Sequence, residues 1–520
     1  MVLHREPLTL LLSVVLLPFL RFFAHNLTEG ILPSDLAPYF AMALGGVWSI
    51  YAGIWLATRG DPPRIAIPLA VTTLVIFSYH DVAQAVASQT ESVWLQLGAW
   101  TAALVASLAI SVSFARRRGF QLFVLFAVLA NMIPPAVHVV RFGLPSRGPG
   151  LPLAEAYPLE GNDIWSGKPV RTPNIYLIVA DSYPSLTQLR EYYHFEEPGF
   201  VRFLRSKGFL VSPDTYSNFN LTRLSMPSTL NMEYVFEEGE AYAESHAGAL
   251  VWLPGRTNRD MVEAIAGDNR SVSFLQQLGY RYVHYEGRSF ILTRCRGYED
   301  RCIESSITVA SELEHQLLSL TPYAAIVVLS DEFRLAIQPR RRSTTGTGIP
   351  ELTEALTELA VEPPFFVYAH LATPHRPFLN DSQCRVLPLD YNRASNQDFV
   401  QQVQCVNRHL RGLLSRLLAQ DPDAIILLSS DHGPRHSVPA RTALYSLNDV
   451  QIRESLGILN AIRLPQACRS SAQTNLSPIN QMRLVFACLG GHAPNFFEEQ
   501  HFIARPDSPD RGGLRRVHPR

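Results

Sequence analysis

Residues 424–433 read AIILLSSDHG. The first six carry no charge and have no polar side to turn toward water. A run this short and this apolar reads as a strand buried on both faces, the habit of parallel sheets. It stops abruptly at Ser430, Asp431, His432 and Gly433. Two other runs behave the same way. Residues 174–180 (NIYLIVA) run into Asp181, and residues 365–369 (FFVYA) run into His370, with His375 close behind. In open α/β sheets the working site lies beyond the carboxyl ends of the strands. Two aspartates and a histidine gathered there make a hard, partly nitrogenous donor set. Such a set suits a divalent metal, Zn²⁺ or Mn²⁺, with room for a second.

Around these runs the pattern alternates. Residues 200–206 have helical spacing and stop at Gly208, and 209–211 read as a strand. Residues 272–278 are helical, stop at Gly279, and lead into a strand at 280–285. Phe399, Val403, Val406, Leu410, Leu413, Leu414 and Leu417 form a helical stripe within 395–418, with Ser395 and Asp398 spaced as a capping box. Helix alternating with strand predicts a three-layer α/β/α domain with a mostly parallel sheet.

The first 140 residues differ in kind. Apolar stretches cover 8–23, 37–57, 65–86, 93–114 and 120–140, and several are long enough to span hydrocarbon as helices. Arg5, Arg59, Arg64 and Arg116–Arg118 fall at alternate connections, while the other connections carry Glu29, Asp35, Asp81 and Glu91. The positive-inside rule then puts the N-terminus in the cytoplasm, and five spans deliver the rest of the chain outside. A cleaved signal peptide is the plainer reading of the first stretch. Its end at Arg21-Phe22-Phe23 has no small-residue cleavage site.

All six cysteines (295, 302, 384, 405, 468 and 488) follow the last span, as expected for disulfides in an oxidising compartment. Pairing neighbours gives 295–302, 384–405 and 468–488, one of fifteen connectivities. The net charge of −1 argues neither for nor against nucleic acid, and no such partner is expected. The expected plan is a transmembrane helical domain over 1–142, a Gly/Pro-rich linker over 143–172, a catalytic domain over 173–505 and a polar tail over 506–520. No oligomeric state is read from the sequence.

Residues 217–231 read SNFNLTRLSMPSTLN and place Thr222, Ser225, Ser228 and Thr229 around the start of a helix. Helix capping is the commoner job of such hydroxyls. A hydroxyl held there beside free N–H groups and a metal is also placed to act as a nucleophile.

Taken together, IVADSYP at Asp181, TRLSMP at Thr222, TPHRPF at His375 and SSDHG at Asp431 and His432 resemble the alkaline phosphatase superfamily. The resemblance is to its membrane-anchored, sulfatase-like branch, which includes lipoteichoic acid synthases and lipid A phosphoethanolamine transferases. It covers nearly the whole chain. It implies that Asp181, Thr222, Asp431 and His432 surround the metal and that Thr222 is the nucleophile. Thr222, Ser225 and Pro227 have the spacing found in phosphoethanolamine transferases. Sulfatases carry an arginine where Thr229 stands. His375, Arg376, Arg435 and His436 are candidates for holding substrate phosphate, and His375 and His436 also for a second metal. The implied reaction moves a phosphoryl or phospho-alcohol group, through a threonine intermediate, onto an envelope lipid or glycan. A phospholipid or lipid-linked glycan is the expected substrate. The implied location is the bacterial inner membrane, multi-pass, with the catalytic domain outside the cytoplasm. A sulfatase- or phosphatase-type hydrolase and a non-catalytic glycan-binding relative are the competing readings.

Overall fold

The structure is a computed structural model of the 520-residue chain. It describes residues 5–27, 31–87, 92–142, 152–234, 258–287, 291–305, 312–323, 325–326, 346–387, 394–438, 446–471, 473–504 and 515–519. The chain divides into two compact units: Met1–Leu144 with Val309–Arg340, and Pro145–Thr308 with Arg341–Arg520.

The first unit is helical. It contains α1 (Arg5–His25), α2 (Pro33–Thr58), α3 (Pro62–Ile76), α4 (Tyr79–Ala87), α5 (Val93–Phe114) and α6 (Arg118–Phe142). Four of its helices are long and apolar enough to cross a membrane. The count becomes five if α3 and α4, bent by 49° at their junction, form one broken span. Leu11, Val14, Ala70 and Val128 pack inward. Phe126, Phe123, Met42 and Val140 are more than half exposed. Lipid is the solvent that such a surface matches.

The second unit is built on a seven-stranded sheet. Its strands are β1 (Ile175–Ala180), β2 (Leu210–Tyr216), β3 (Arg281–Glu286), β4 (Arg301–Glu304), β5 (Phe365–Leu371), β6 (Ile425–Ser429) and β7 (Gly457–Arg463), in the order β2-β7-β6-β1-β5-β3-β4. Every pair from β6 across to β4 is parallel, and β7 is antiparallel to both neighbours. The helices in chain order are α7 (Leu153–Ala156), α8 (Leu186–Tyr193), α9 (Pro198–Ser206), α10 (Thr222–Asn231), α11 (Asn258–Ala266), α12 (Arg270–Gln277), α13 (Glu312–Ser319), α14 (Ile349–Thr357), α15 (Asn396–Gln420), α16 (Asp449–Leu456) and α17 (Pro478–Gly490). All but α13 belong to this unit.

The period of two along each strand sorts the core into two layers. Ile178, Ala180, Val367, Ile426 and Leu428 pack with Phe200 of α9, Leu352 of α14 and Leu410 of α15. Leu177, Val179, Phe366, Ile425 and Leu427 pack with Ile265 of α11, Phe274 of α12 and Phe486 of α17. This is the three-layer arrangement expected from the sequence. The α15 stripe is buried as its spacing requires, and Ser395 and Asp398 form the capping box at its start.

Three features depart from the expected boundaries. Tyr157, Ile164 and Trp165, within the expected linker, are buried in the second core layer, because a large aromatic in a Gly/Pro-rich stretch still seeks apolar cover. In the expected tail, β9 (Arg515–Val517) pairs antiparallel with β8 (His501–Ile503) and buries Val517. Residues 309–340, expected inside the catalytic domain, group with the helical unit. Disulfides join Cys295 to Cys302, Cys384 to Cys405 and Cys468 to Cys488.

Candidate metal centre and active site

Strand register brings the distant residues together. β1 lies between β5 and β6, with Val179 opposite both His370 and Ser429. The three strands therefore end in step. Asp181 follows β1, Asp431 follows β6, and His370 is the penultimate residue of β5. One ligand atom from each of Asp181, His370 and Asp431 lies within 4.8 Å of the other two. All three residues are buried.

The fourth contribution comes from α10. Thr222 is its first residue, preceded by Leu221 in extended conformation, and Thr222 does not cap the helix. Its hydroxyl donates instead to Asp431 Oδ2 at 2.6 Å and lies 3.3 Å from His432 Nε2. Ser225, one turn on, points at a different atom. Its Oγ donates to the backbone carbonyl of Asp431 at 2.7 Å, beside Ser217 Oγ, which donates to the same oxygen. Ser225 therefore holds the backbone of the site, and Thr222 meets its functional face.

His432 shows how the donors are arranged. Its Nδ1 lies 2.8 Å from the carbonyl of Gly433, an acceptor, so Nδ1 carries the proton. Nε2 is left with its lone pair. It faces Thr222 Oγ1, Asp431 Oδ2 at 3.5 Å and Asp181 Oδ1 at 3.8 Å. Burial, and Arg435 among the charges nearby, keep this imidazole neutral by pulling its pKa down to about 4. Lone pairs thus converge from two carboxylates, one imidazole and one hydroxyl. Burial and the neighbouring Asp431 charge push Asp181 up to about 7. Asp431 is buried too, but it faces the His432 and His370 imidazoles and accepts hydrogen bonds from the Thr222 hydroxyl and the Ser182 N–H, and its pKa is held low. Two adjacent buried carboxylates need positive charge between them. This donor chemistry fits a divalent cation.

Gly433 explains the end of the SDHG stretch. A Cβ there would lie 1.8 Å from the carbonyl oxygen of Glu454, so no larger residue fits. The Gly433 N–H bonds Ser455 O, which docks the stretch against α16. Beyond it, the Glu454 carboxylate accepts from Tyr193 Oη, the His436 and Ser437 backbone N–H groups and Ser437 Oγ.

The other sequence candidates divide. Arg435 adopts the left-handed φ of 61°, and its charge favours ionised Asp181 and neutral His432. His375 and Arg376 are exposed. The His375 N–H bonds Asp181 O, and Arg376 donates to Ala394 O. The His436 ring packs edge-on among Tyr193, Phe378 and Phe399, with centroids 4.7–5.8 Å away. Burial there pulls its pKa down to about 3. His370 follows an apolar run, and the sequence by itself does not say which face of the strand it takes. Counting by two from Phe366 and Tyr368 puts it on their side of β5, with its Nε2 3.7 Å from Asp431 Oδ2.

No protein-family model matches the chain, and no curated protein matches its sequence. Among solved structures it is similar to the C-terminal periplasmic domain of EcEptC from Escherichia coli. The identity is 12%, covering 68% of this chain and 93% of that one, with TM-score 0.41. It is similar also to the soluble domain of lipooligosaccharide phosphoethanolamine transferase A from Neisseria meningitidis, at 11% identity, covering 63% and 96%, with TM-score 0.38. A third is the phosphonate monoester hydrolase SpPMH from Silicibacter pomeroyi, at 14% identity, covering 64% and 79%, with TM-score 0.37.

Proposed function

We propose that the outer unit is a metal-dependent enzyme of phosphoryl or sulfuryl transfer. More narrowly, it moves a phosphoryl or phospho-alcohol group through Thr222 onto an envelope lipid or glycan. The observation that carries this reading is the Thr222 hydroxyl, 2.6 Å from Asp431 Oδ2 at the start of a buried helix and not spent on capping.

Asp181, Asp431, His432 and Thr222 would hold the cation, with His370 beside them. When bound, it supplies positive charge that offsets the charge on phosphate oxygens. The residues do the rest. Asp431 Oδ2 accepts the Thr222 hydrogen bond and orients the oxygen. Thr222 Oγ1 forms a bond to phosphorus as the bond to the leaving alcohol breaks, and the hydroxyl proton ends on that alcohol. The positive end of the α10 dipole and the Arg435 guanidinium stabilise the anionic centre. An acceptor hydroxyl then attacks the same phosphorus, Thr222 leaves, and the acceptor proton returns to it.

Membrane-length helices in the same chain favour a lipid donor or a lipid-linked acceptor. The test is mass spectrometry of the full-length protein after exposure to phosphatidylethanolamine vesicles. A phosphoethanolamine mass on Thr222 is expected. An adduct on Ser225 in its place would overturn the assignment. Release of free phosphoethanolamine into water, with none passed to glycan or lipid, would mark a hydrolase.

A further inference from the structure

In sequence, residues 312–323 and 325–326 lie between β4 and β5, yet this excursion groups with the helical unit. Within this excursion Leu313 and Leu317 of α13 are buried. Glu314 Oε1 accepts a 2.6 Å hydrogen bond from Tyr39 Oη, near the start of α2. Ala325, 2% exposed, packs with Tyr79 at the start of α4 and Trp100 of α5. Trp100 lies roughly 10 Å along α5 from Val93, at the helical rise of about 1.5 Å per residue. Ala325 therefore sits below the end of that helix, within its apolar length.

The same segment leaves large apolar groups uncovered. Leu318 is 41% exposed and Ile326 is 39% exposed. Leu97 of α5 packs against the Ala325 cluster, and Trp94, one turn before it, is 70% exposed. Tyr and Trp concentrate at the boundary between hydrocarbon and headgroups, and Tyr39, Tyr79, Trp94 and Trp100 gather at this end of the unit. A short segment with apolar side chains, seated at that level, matches an interfacial element.

We infer that residues 312–323 and 325–326 form a second membrane contact of the chain, seated at the headgroup boundary, with phospholipid acyl chains covering Leu318 and Ile326. The chain is then tied to the bilayer by an element that comes after the last span as well as by the spans themselves. The contacts also bear on sidedness. Tyr39 and Trp100 lie in the halves of α2 and α5 far from Arg59 and Arg116. Tyr79 opens α4, whereas Arg64 lies in the first turn of α3. A segment that follows the last span and meets those ends belongs on the side opposite the arginines, as the positive-inside rule requires.

The test places a photoreactive p-benzoylphenylalanine at Leu318 or Ile326 of the full-length protein in phosphatidylethanolamine–phosphatidylglycerol vesicles. Both positions are exposed, so the larger side chain displaces no core group. Phe126 on α6 serves as the lipid-facing reference and Val450, an exposed apolar residue of the outer unit, as the aqueous one. Lipid adducts at Leu318 and Ile326 are expected at yields within several-fold of Phe126 and at least tenfold above Val450 (about the separation expected between lipid and water environments). Yields no higher than at Val450 would overturn the inference. So would adducts to protein without lipid, which would make this face a protein-docking surface.

Discussion

Thr222 and Ser225 lie one helical turn apart and reach the same aspartate through different atoms. That difference separates their roles. Thr222→Ala removes the oxygen that faces the site but leaves Asp181, His370, Asp431 and His432. Turnover should fall by several orders of magnitude with most bound metal retained, read by activity and metal analysis on one preparation. Ser225→Ala leaves Ser217 Oγ on the Asp431 carbonyl and should cost about 1 kcal/mol of stability with little loss of turnover. A dead Ser225 variant beside an active Thr222 variant would reverse the assignment. His370 invites a second measurement. If its imidazole belongs to the donor cluster, His370→Ala should lower metal affinity by about tenfold or more in a chelator titration, as loss of a supporting group does. Unchanged affinity would confine the metal to the other four residues.

Among the elements, the turn from Asp431 to Ser437 carries the most chemistry and has no regular structure of its own. Its shape comes from α16: Gly433 fits only under the Glu454 carbonyl, and the Glu454 side chain gathers the donors at Tyr193, His436 and Ser437. Glu454→Gln replaces an acceptor oxygen by an amide that faces donors. Stability should drop by about 1–3 kcal/mol, the cost of unsatisfied buried polar groups. With the turn that carries Arg435 loosened at His436 and Ser437, KM should rise more than kcat falls, at unchanged metal content. An unaltered KM would show that Arg435 is positioned by other contacts. The same turn carries a pH signature. His436 is neutral in the folded protein, with its pKa depressed to about 3 by burial, against about 6.5 when unfolded. Between those values the unfolded chain binds more protons, so its stabilising contribution is complete above about 6.5 and is lost as pH falls toward 3. Denaturation midpoints from pH 7 to 4 should decline less steeply in His436→Gln than in the parent protein. Parallel slopes would mean that the ring is accessible to protons.

At the scale of the whole molecule, the arginine distribution and the cysteine placement lead to the expectation that the C-terminus lies outside the cytoplasm. A phosphatase reporter fused after Arg520, active only outside the cytoplasm, should be active, and a β-galactosidase fusion at the same point should be silent. The opposite pattern would refute the five-span topology. Much of this plan was legible in the sequence, because the signals are local. A strand buried on both faces has to be an apolar run. A membrane span has to be long and uncharged. A buried strand that ends in Asp-His-Gly exposes its chemistry whatever surrounds it. Asp181, Asp431 and His432 stand out as candidates in this way, and so does the helical stripe of α15, whereas Thr222 is singled out only by the motif resemblance. The direction of His370 was not, because a histidine at a strand end reads alike on either face until the register with β1 is known. His436 was misleading for a related reason. Nearness to SDHG in sequence says nothing of the aromatic box that Tyr193, Phe378 and Phe399 build from three separate segments. Nor could the return of residues 309–340 to the helical unit be read, since Leu313, Leu317 and Ala325 would serve equally well in any apolar core. Periodicity and composition establish which residues must avoid water, whereas only long-range packing selects the partners that keep them from it.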